Sequence, residues 1–328
     1  MKLGETTRDD PTPEDIEAAE IRLRGLIHRT PVLESRLIDQ AVGSRVRFKC
    51  EMFQRGGSHK VRGAFNWILA QQEQRLLTGA VTASSGNHGA ALAIASSYVG
   101  IPSVVIMPED SNASKRAATV GYGAEVVSQG VNGSNRETVA DEIALERGYR
   151  RNTADAVDGI AGLGTLGFEI AGTERLEVVC VPVGLGALIS GVAIGLKSRA
   201  PNIRLIGVEP RLGDDMRRSI AADKIVRLER VPETIADGAR ALAPSERTFS
   251  IVRRFVDDVV VVSDGDILEA MRLIWTRLKV VAEPTAALAF AAIVSGAVSG
   301  DALCLLSGGN VDWEAMKPLE REEGDSRL

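Results

Sequence analysis

Short runs of β-branched and apolar residues alternate along this chain with stretches whose apolar positions recur at helical spacing. The runs predict strands over residues 46–53, 80–83, 103–107, 125–128, 177–183, 203–209, 258–262 and 302–306. Between them, the spacing predicts helices over 87–98, 136–147, 188–198, 266–279 and 284–294. A further helix opens at Thr12-Pro13-Glu14-Asp15, where a capping residue precedes a proline and two acids. Strands alternating with helices imply right-handed crossovers and an α/β fold with a largely parallel sheet, buried on both faces. Residues 78–150 carry their own strand and helix units and are expected to form a smaller inserted domain. Ligands of such sheets bind beyond the carboxyl ends of the strands, so the loops there are where chemistry is expected.

Composition narrows the class. A chain of 328 residues, 45% hydrophobic and 25% charged, can bury a core large enough for two domains. Its 39 basic and 44 acidic residues leave a net charge of −5, and no basic face with interleaved aromatics is visible, which argues against a general nucleic-acid partner. The most apolar stretch, 286–298, is too short for a bilayer and contains Ser295 and Gly296, so it predicts a buried helix and no membrane association. The polar N-terminus lacks the apolar core of a signal peptide, and the acidic tail after Leu319 is expected to fray. Cys50, Cys180 and Cys304 each lie in an apolar run and read as reduced core thiols, consistent with a cytoplasmic location.

Four turns carry candidate chemistry. Gly57-Ser58-His59-Lys60-Val61-Arg62-Gly63 places a lysine between a predicted strand and a helical pattern. Its amine can form an imine with an aldehyde cofactor if burial keeps it unprotonated. A merely exposed lysine there would oppose the helix dipole. Ser84-Ser85-Gly86-Asn87-His88-Gly89 follows a strand and opens a helix, so its amides and hydroxyls suit a carboxylate, although alone it reads as an ordinary capped turn. Gly184-Leu185-Gly186-Ala187-Leu188 has the same placement and suits a phosphate; its glycines serve tight packing equally well. Leu306-Ser307-Gly308-Gly309-Asn310 ends the last predicted strand, with Ser307 able to meet a ring nitrogen or simply to make a turn.

In this order, and with Pro232-Glu233-Thr234-Ile235-Ala236-Asp237-Gly238 and Glu283-Pro284-Thr285-Ala286, these motifs resemble the fold-type II pyridoxal-phosphate enzymes over nearly the whole chain. The resemblance is to the serine racemase and serine/threonine dehydratase group. It implies parallel twisted sheets flanked by helices, with residues 1–77 and 151–328 as a large cofactor-binding domain and 78–150 as a small one. It implies that Lys60 holds pyridoxal 5′-phosphate covalently, Asn87 meets the ring hydroxyl, Gly184 to Leu188 hold the phosphate and Ser307 faces the ring nitrogen. Ser84, Ser85, Gly86, Asn87 and His88 would bind the substrate carboxylate.

A serine at the ring nitrogen does not keep that nitrogen protonated as a carboxylate would. This favours elimination of water from a β-hydroxy amino acid, giving a 2-oxo acid and ammonia, with Lys60 as the base at Cα. Racemase-like members carry a serine at the position of Ser85 as a second-face base, where many dehydratases have alanine; the alternative role of Ser85 is a carboxylate-binding hydroxyl. Glu209, the Gly213 carbonyl and Asp215 resemble the family's Mg²⁺ or Ca²⁺ loop, and otherwise form a solvated acidic loop. The family also implies a homodimer, and a chain ending soon after Asn310 is expected to lack a regulatory domain.

The sequence departs from the family in three places. His59 replaces a phenylalanine, Leu185 and Ala187 interrupt a glycine loop, and residues 152–158 lack a His-Pro pattern. Serine, threonine, 3-hydroxyaspartate and bulkier β-hydroxy amino acids all remain open as substrates. An acidic substrate side chain would require an additional cation, for which Arg151 is a candidate. A serine-type racemase is the main alternative activity. A β-replacement synthase and a non-catalytic cofactor-binding protein stand further off, the latter opposed by an intact Lys60.

Overall fold

A computed structural model describes residues 10–311; the polar N-terminus and the tail after Leu319 lie outside the described residues. Among the described residues there are ten strands: β1 (Val32–Glu34), β2 (Val46–Cys50), β3 (Ala80–Ala83), β4 (Ser103–Ile106), β5 (Glu125–Val127), β6 (Arg150–Arg151), β7 (Val178–Pro182), β8 (Arg204–Pro210), β9 (Asp258–Val262) and β10 (Ala302–Leu306). They form a six-stranded sheet in the order β1-β2-β10-β7-β8-β9 and a four-stranded sheet in the order β5-β4-β3-β6. Only the β1–β2 pair is antiparallel.

The large sheet is covered on both faces, and its central strands show why. Val178 and Cys180 of β7, with Ala302, Cys304 and Leu306 of β10, pack into one core together with the helices Asp264–Leu273 and Pro284–Val294. Val179, Val181, Leu303 and Leu305 point to the other core, built on the helices Val157–Ala171 and Ala187–Arg199. Side chains alternate faces along a strand, so a strand that is apolar throughout needs two apolar layers. The stretch beginning at Ala286 is accordingly a buried helix, with residues 284–293 all inaccessible or nearly so. The three cysteines are buried and free, and Cys180 stands in register beside Cys304.

Local sequence explains most boundaries. Thr12 and Asp15 exchange bonds with each other's backbone N–H, starting the helix Pro13–Leu23. The predicted strand 46–53 ends at Cys50, because Glu51 turns inward to meet Arg62 and Thr30 and starts a 3₁₀ turn, Glu51–Phe53. The helix predicted over 266–279 starts earlier, at Asp264, where Ser263 and Asp266 form a capping box, and its end widens into a π turn, Ile274–Leu278. The sequence pattern does not single out the glycine-rich helix Val157–Ala171. Its glycines allow close approach: a Cβ on Gly167 would lie 2.6 Å from the Leu196 nitrogen and the Val192 oxygen of the facing helix.

Candidate active site

All four candidate turns leave the carboxyl ends of parallel strands: β2 leads to Lys60, β3 to Ser84–His88, β7 to Gly184–Leu188 and β10 to Ser307. Lys60 is the first residue of the helix Lys60–Glu73. Packing strips water from its amine and lowers its pKa below the ordinary lysine value, with the Glu283 carboxylate acting the other way. A dry amine of this kind is a usable nucleophile and base.

The lysine turn is stitched to the end of β10. The His59 backbone N–H and ring Nδ1 both meet the Ser307 carbonyl, at 3.0 and 2.9 Å. Ser58 forms an isolated antiparallel bridge with Gly308. Since a carbonyl only accepts, His59 is the Nδ1–H tautomer, and its buried Nε2 is left without a partner. Burial, followed by the Lys60 charge, pushes its pKa down to about 3. The same two causes lower His88 to about 4. His59 and His88 are therefore neutral near pH 7.

Two residues to which the sequence reading gave no role complete this corner. Glu283 is buried and accepts from the Asn87 amide on both oxygens, at 3.0 and 3.2 Å. Asn310 donates to the Asn87 oxygen at 2.8 Å. Burial, with Asp237 adding to it, raises the Glu283 carboxyl to about 7. The Glu283-Pro284 pair is visible in the sequence but reads as a helix start, with nothing to tie it to Asn87.

Gly186 adopts φ 96° and caps the helix Ala187–Arg199. That left-handed turn aims the first-turn N–H groups, which have no intrahelical acceptor, out of the helix end, and there they suit a phosphate. A Cβ on Gly186 would meet Met216 and Thr248 at 2.8 and 2.9 Å. Thr248 also secures the loop by donating to the Leu185 carbonyl at 2.7 Å. Ala187 and Leu188 are buried, while Gly184 and Leu185 remain partly accessible. Ser84, Ser85, Gly86, Asn87 and His88 lie together, partly accessible, at the head of the helix Asn87–Val99.

Behind Lys60 lies a buried ionic group. Arg62, fully buried, binds Glu51 with two 2.8 Å bonds and Glu169 with one of 2.7 Å. Lys49 joins Glu169 from the other side.

Away from these turns, Glu209 and Asp215 are both buried. Glu209 accepts from the Met216 and Arg217 backbone N–H groups, each at 2.9 Å. Asp215 Oδ2 has no hydrogen-bond partner. Burial, then the Asp215 charge, raises Glu209 well above the usual carboxylate range, and burial pushes Asp215 up to about 7. Among the described residues no group of three or more His, Cys, Asp or Glu is placed to hold a metal. Arg151 does not offer a free cation: it binds Asp141 at 2.7 Å and Glu137 at 2.6 Å. No helix among the described residues is long and apolar enough to cross a membrane.

The family model "Pyridoxal-phosphate dependent enzyme" matches residues 23–308. The chain is 38% identical to L-threo-3-hydroxyaspartate ammonia-lyase of Saccharomyces cerevisiae, over 94% of this chain and 96% of the relative. It is also 38% identical to serine racemase of Arabidopsis thaliana, over 92% and 95%. The solved structure of a threonine deaminase from T.th. superposes with a TM-score of 0.88 at 43% identity, covering 92% of this chain and 99% of that one. On the family match and these relatives, this chain belongs to the pyridoxal-phosphate dependent enzymes, in the fold-type II group of ammonia-lyases, racemases and deaminases.

Proposed function

We propose that this enzyme eliminates water from a β-hydroxy amino acid such as serine or threonine, releasing a 2-oxo acid and ammonia. The observation that carries the reading is a dry Lys60 amine on a turn that His59 stitches to the Ser307 carbonyl at the end of β10. The relatives support the substrate class, since the names of these three relatives specify serine, threonine or 3-hydroxyaspartate, all β-hydroxy amino acids.

Bound here, pyridoxal phosphate supplies an electron sink for the pair left at Cα when its proton departs. Amides of Gly184 to Leu188 would hold the phosphate, Asn87 would meet the ring hydroxyl and Ser307 would face the ring nitrogen. Ser84 to His88 bind the substrate carboxylate at the helix N-terminus, orienting Cα toward Lys60. Lys60, whose burial favours the neutral amine, takes the α-proton; the β-hydroxyl takes up a proton and leaves as water, and the released enamine hydrolyses with one water to the 2-oxo acid and ammonia. As a neutral residue, Ser307 would not hold the ring nitrogen protonated as a carboxylate would, which suits elimination.

A second activity, racemisation, is supported by Ser85, a hydroxyl in the carboxylate loop that can serve the opposite face of Cα. Dehydration of 3-hydroxyaspartate is a further substrate reading, supported by the yeast relative. With Arg151 engaged by Glu137 and Asp141, that substrate needs another cation.

The reading includes Mg²⁺ or Ca²⁺ held by Glu209, the Gly213 carbonyl and Asp215. Two buried carboxylates and an unpartnered Asp215 oxygen fit a hard cation. It also includes a large domain of residues 1–77 and 151–328, a small domain of 78–150, a homodimer and a cytoplasmic location; the division between the two sheets supports the first two.

A panel of stereochemically defined amino acids tests the function, assayed for oxo acid, ammonia and optical inversion, with and without Mg²⁺. Oxo acid and ammonia in equal amounts from a β-hydroxy substrate are expected. Inversion without ammonia would instead identify an isomerase.

A further inference from the structure

We propose that Glu283 is a positioning residue that, together with Asn310, locks the Asn87 amide in one orientation. This rests on the assignment of Lys60 and Asn87 proposed above.

The bland role for a glutamate before a helix-opening proline is to cap that helix. Glu283 occupies the N-cap position of the helix Pro284–Val294, yet its side chain makes no capping bond. Its carboxyl turns the other way and receives the Asn87 amide on both oxygens. Asn310 meets the opposite end of the same amide. A flipped Asn87 would set its carbonyl against a carboxylate and its NH₂ against the Asn310 NH₂, so only one orientation is favourable. Asn310 is in turn fixed by its bond to the Gly56 carbonyl at 2.8 Å.

The chain makes room for this contact. The Glu283 backbone N–H donates to the Gly308 carbonyl at 3.1 Å. A Cβ on Gly308 would lie 2.7 Å from Glu283 Oε1 and 3.0 Å from the Ser58 Cβ, so glycine is what lets these segments close. The same carboxylate also opposes the loss of charge that burial imposes on the Lys60 amine.

The test uses the full-length enzyme loaded with pyridoxal phosphate, comparing the parent with Glu283→Gln, Glu283→Ala and Asn310→Ala. The readouts are the position of the visible absorption band and the affinity for added pyridoxal phosphate. Glu283→Ala and Asn310→Ala should each shift the band and weaken cofactor binding by roughly tenfold or more. Glu283→Gln, whose side-chain oxygen still accepts from the Asn87 amide, should restore most of that affinity. Equal loss in the glutamine and alanine variants of Glu283 overturns the orientation lock. Unchanged affinity in both alanine variants overturns the lock. A parent enzyme with no lysine-linked absorption band would point instead to failure of the underlying assignment.

Discussion

His59 gives two hydrogen bonds to a single acceptor, the Ser307 carbonyl, one from its backbone and one from its ring. The ring pays for this with an unpartnered Nε2 in a dry setting. An unfolded chain takes up a proton on His59 near its ordinary value of about 6.5, whereas the folded protein resists until about 3. Stability from this group is therefore complete above about pH 6.5 and lost as the pH falls, at about 1.4 kcal/mol per pH unit. In urea unfolding across this range, His59→Phe should flatten the acid slope by about that amount. His88, held at about 4, keeps contributing. Near pH 7 the substitution should change stability by no more than about 1 kcal/mol, since one bond and one unpaired atom are lost together. An acid slope identical to the parent's would contradict the burial of a neutral ring.

Replacing Lys60 with alanine should remove the visible band of the lysine-linked cofactor and reduce turnover by several orders of magnitude. Lys60→Arg should do the same, because a guanidinium keeps the charge but stays protonated. Absorption spectra and oxo-acid release check both, and persistence of band and turnover would refute the assignment.

Arg62 is the most exacting structural position. Removing its guanidinium strands Glu51 and leaves Glu169 with Lys49 alone. Arg62→Met should cost about 3–5 kcal/mol in urea unfolding. Lys49→Met should cost less, since Glu169 retains Arg62. Equal losses would mean that the two cations are not shared as the distances indicate.

If Asp215 ligates a cation, Mg²⁺ or Ca²⁺ should raise the melting temperature of the parent and a chelator should lower it. Asp215→Asn should abolish that response. A variant that still responds would place the cation elsewhere.

Much of the site is visible in the sequence because each turn is a local event: a strand, a few small residues, a helix. Lys60, Asn87, Gly184 to Leu188 and Ser307 all sit on such junctions, and the strand ends bring them to one side. Glu283 and Asn310 are not visible this way, since their meaning depends on an amide about two hundred residues away in sequence. Arg62 reads as one more charged residue on a helix until Glu169, 107 positions later, closes around it. The helix Val157–Ala171 is obscured for a related reason. Glycines that usually interrupt helices are used there to bring two backbones together, and only the partner helix reveals it.

β10 lies between β2 and β7 in the middle of the large sheet, although among the described residues it is the last strand in sequence. During synthesis, therefore, the two halves of that sheet must wait with a gap between them until residues 302–306 emerge from the ribosome. Ser307, whose carbonyl takes both His59 bonds, arrives in the same step, so the lysine turn cannot be stitched to the sheet before its central strand is in place. Such long-range closure is slow, and it makes completion of the sheet and acquisition of chemical competence a single late event in the life of each molecule.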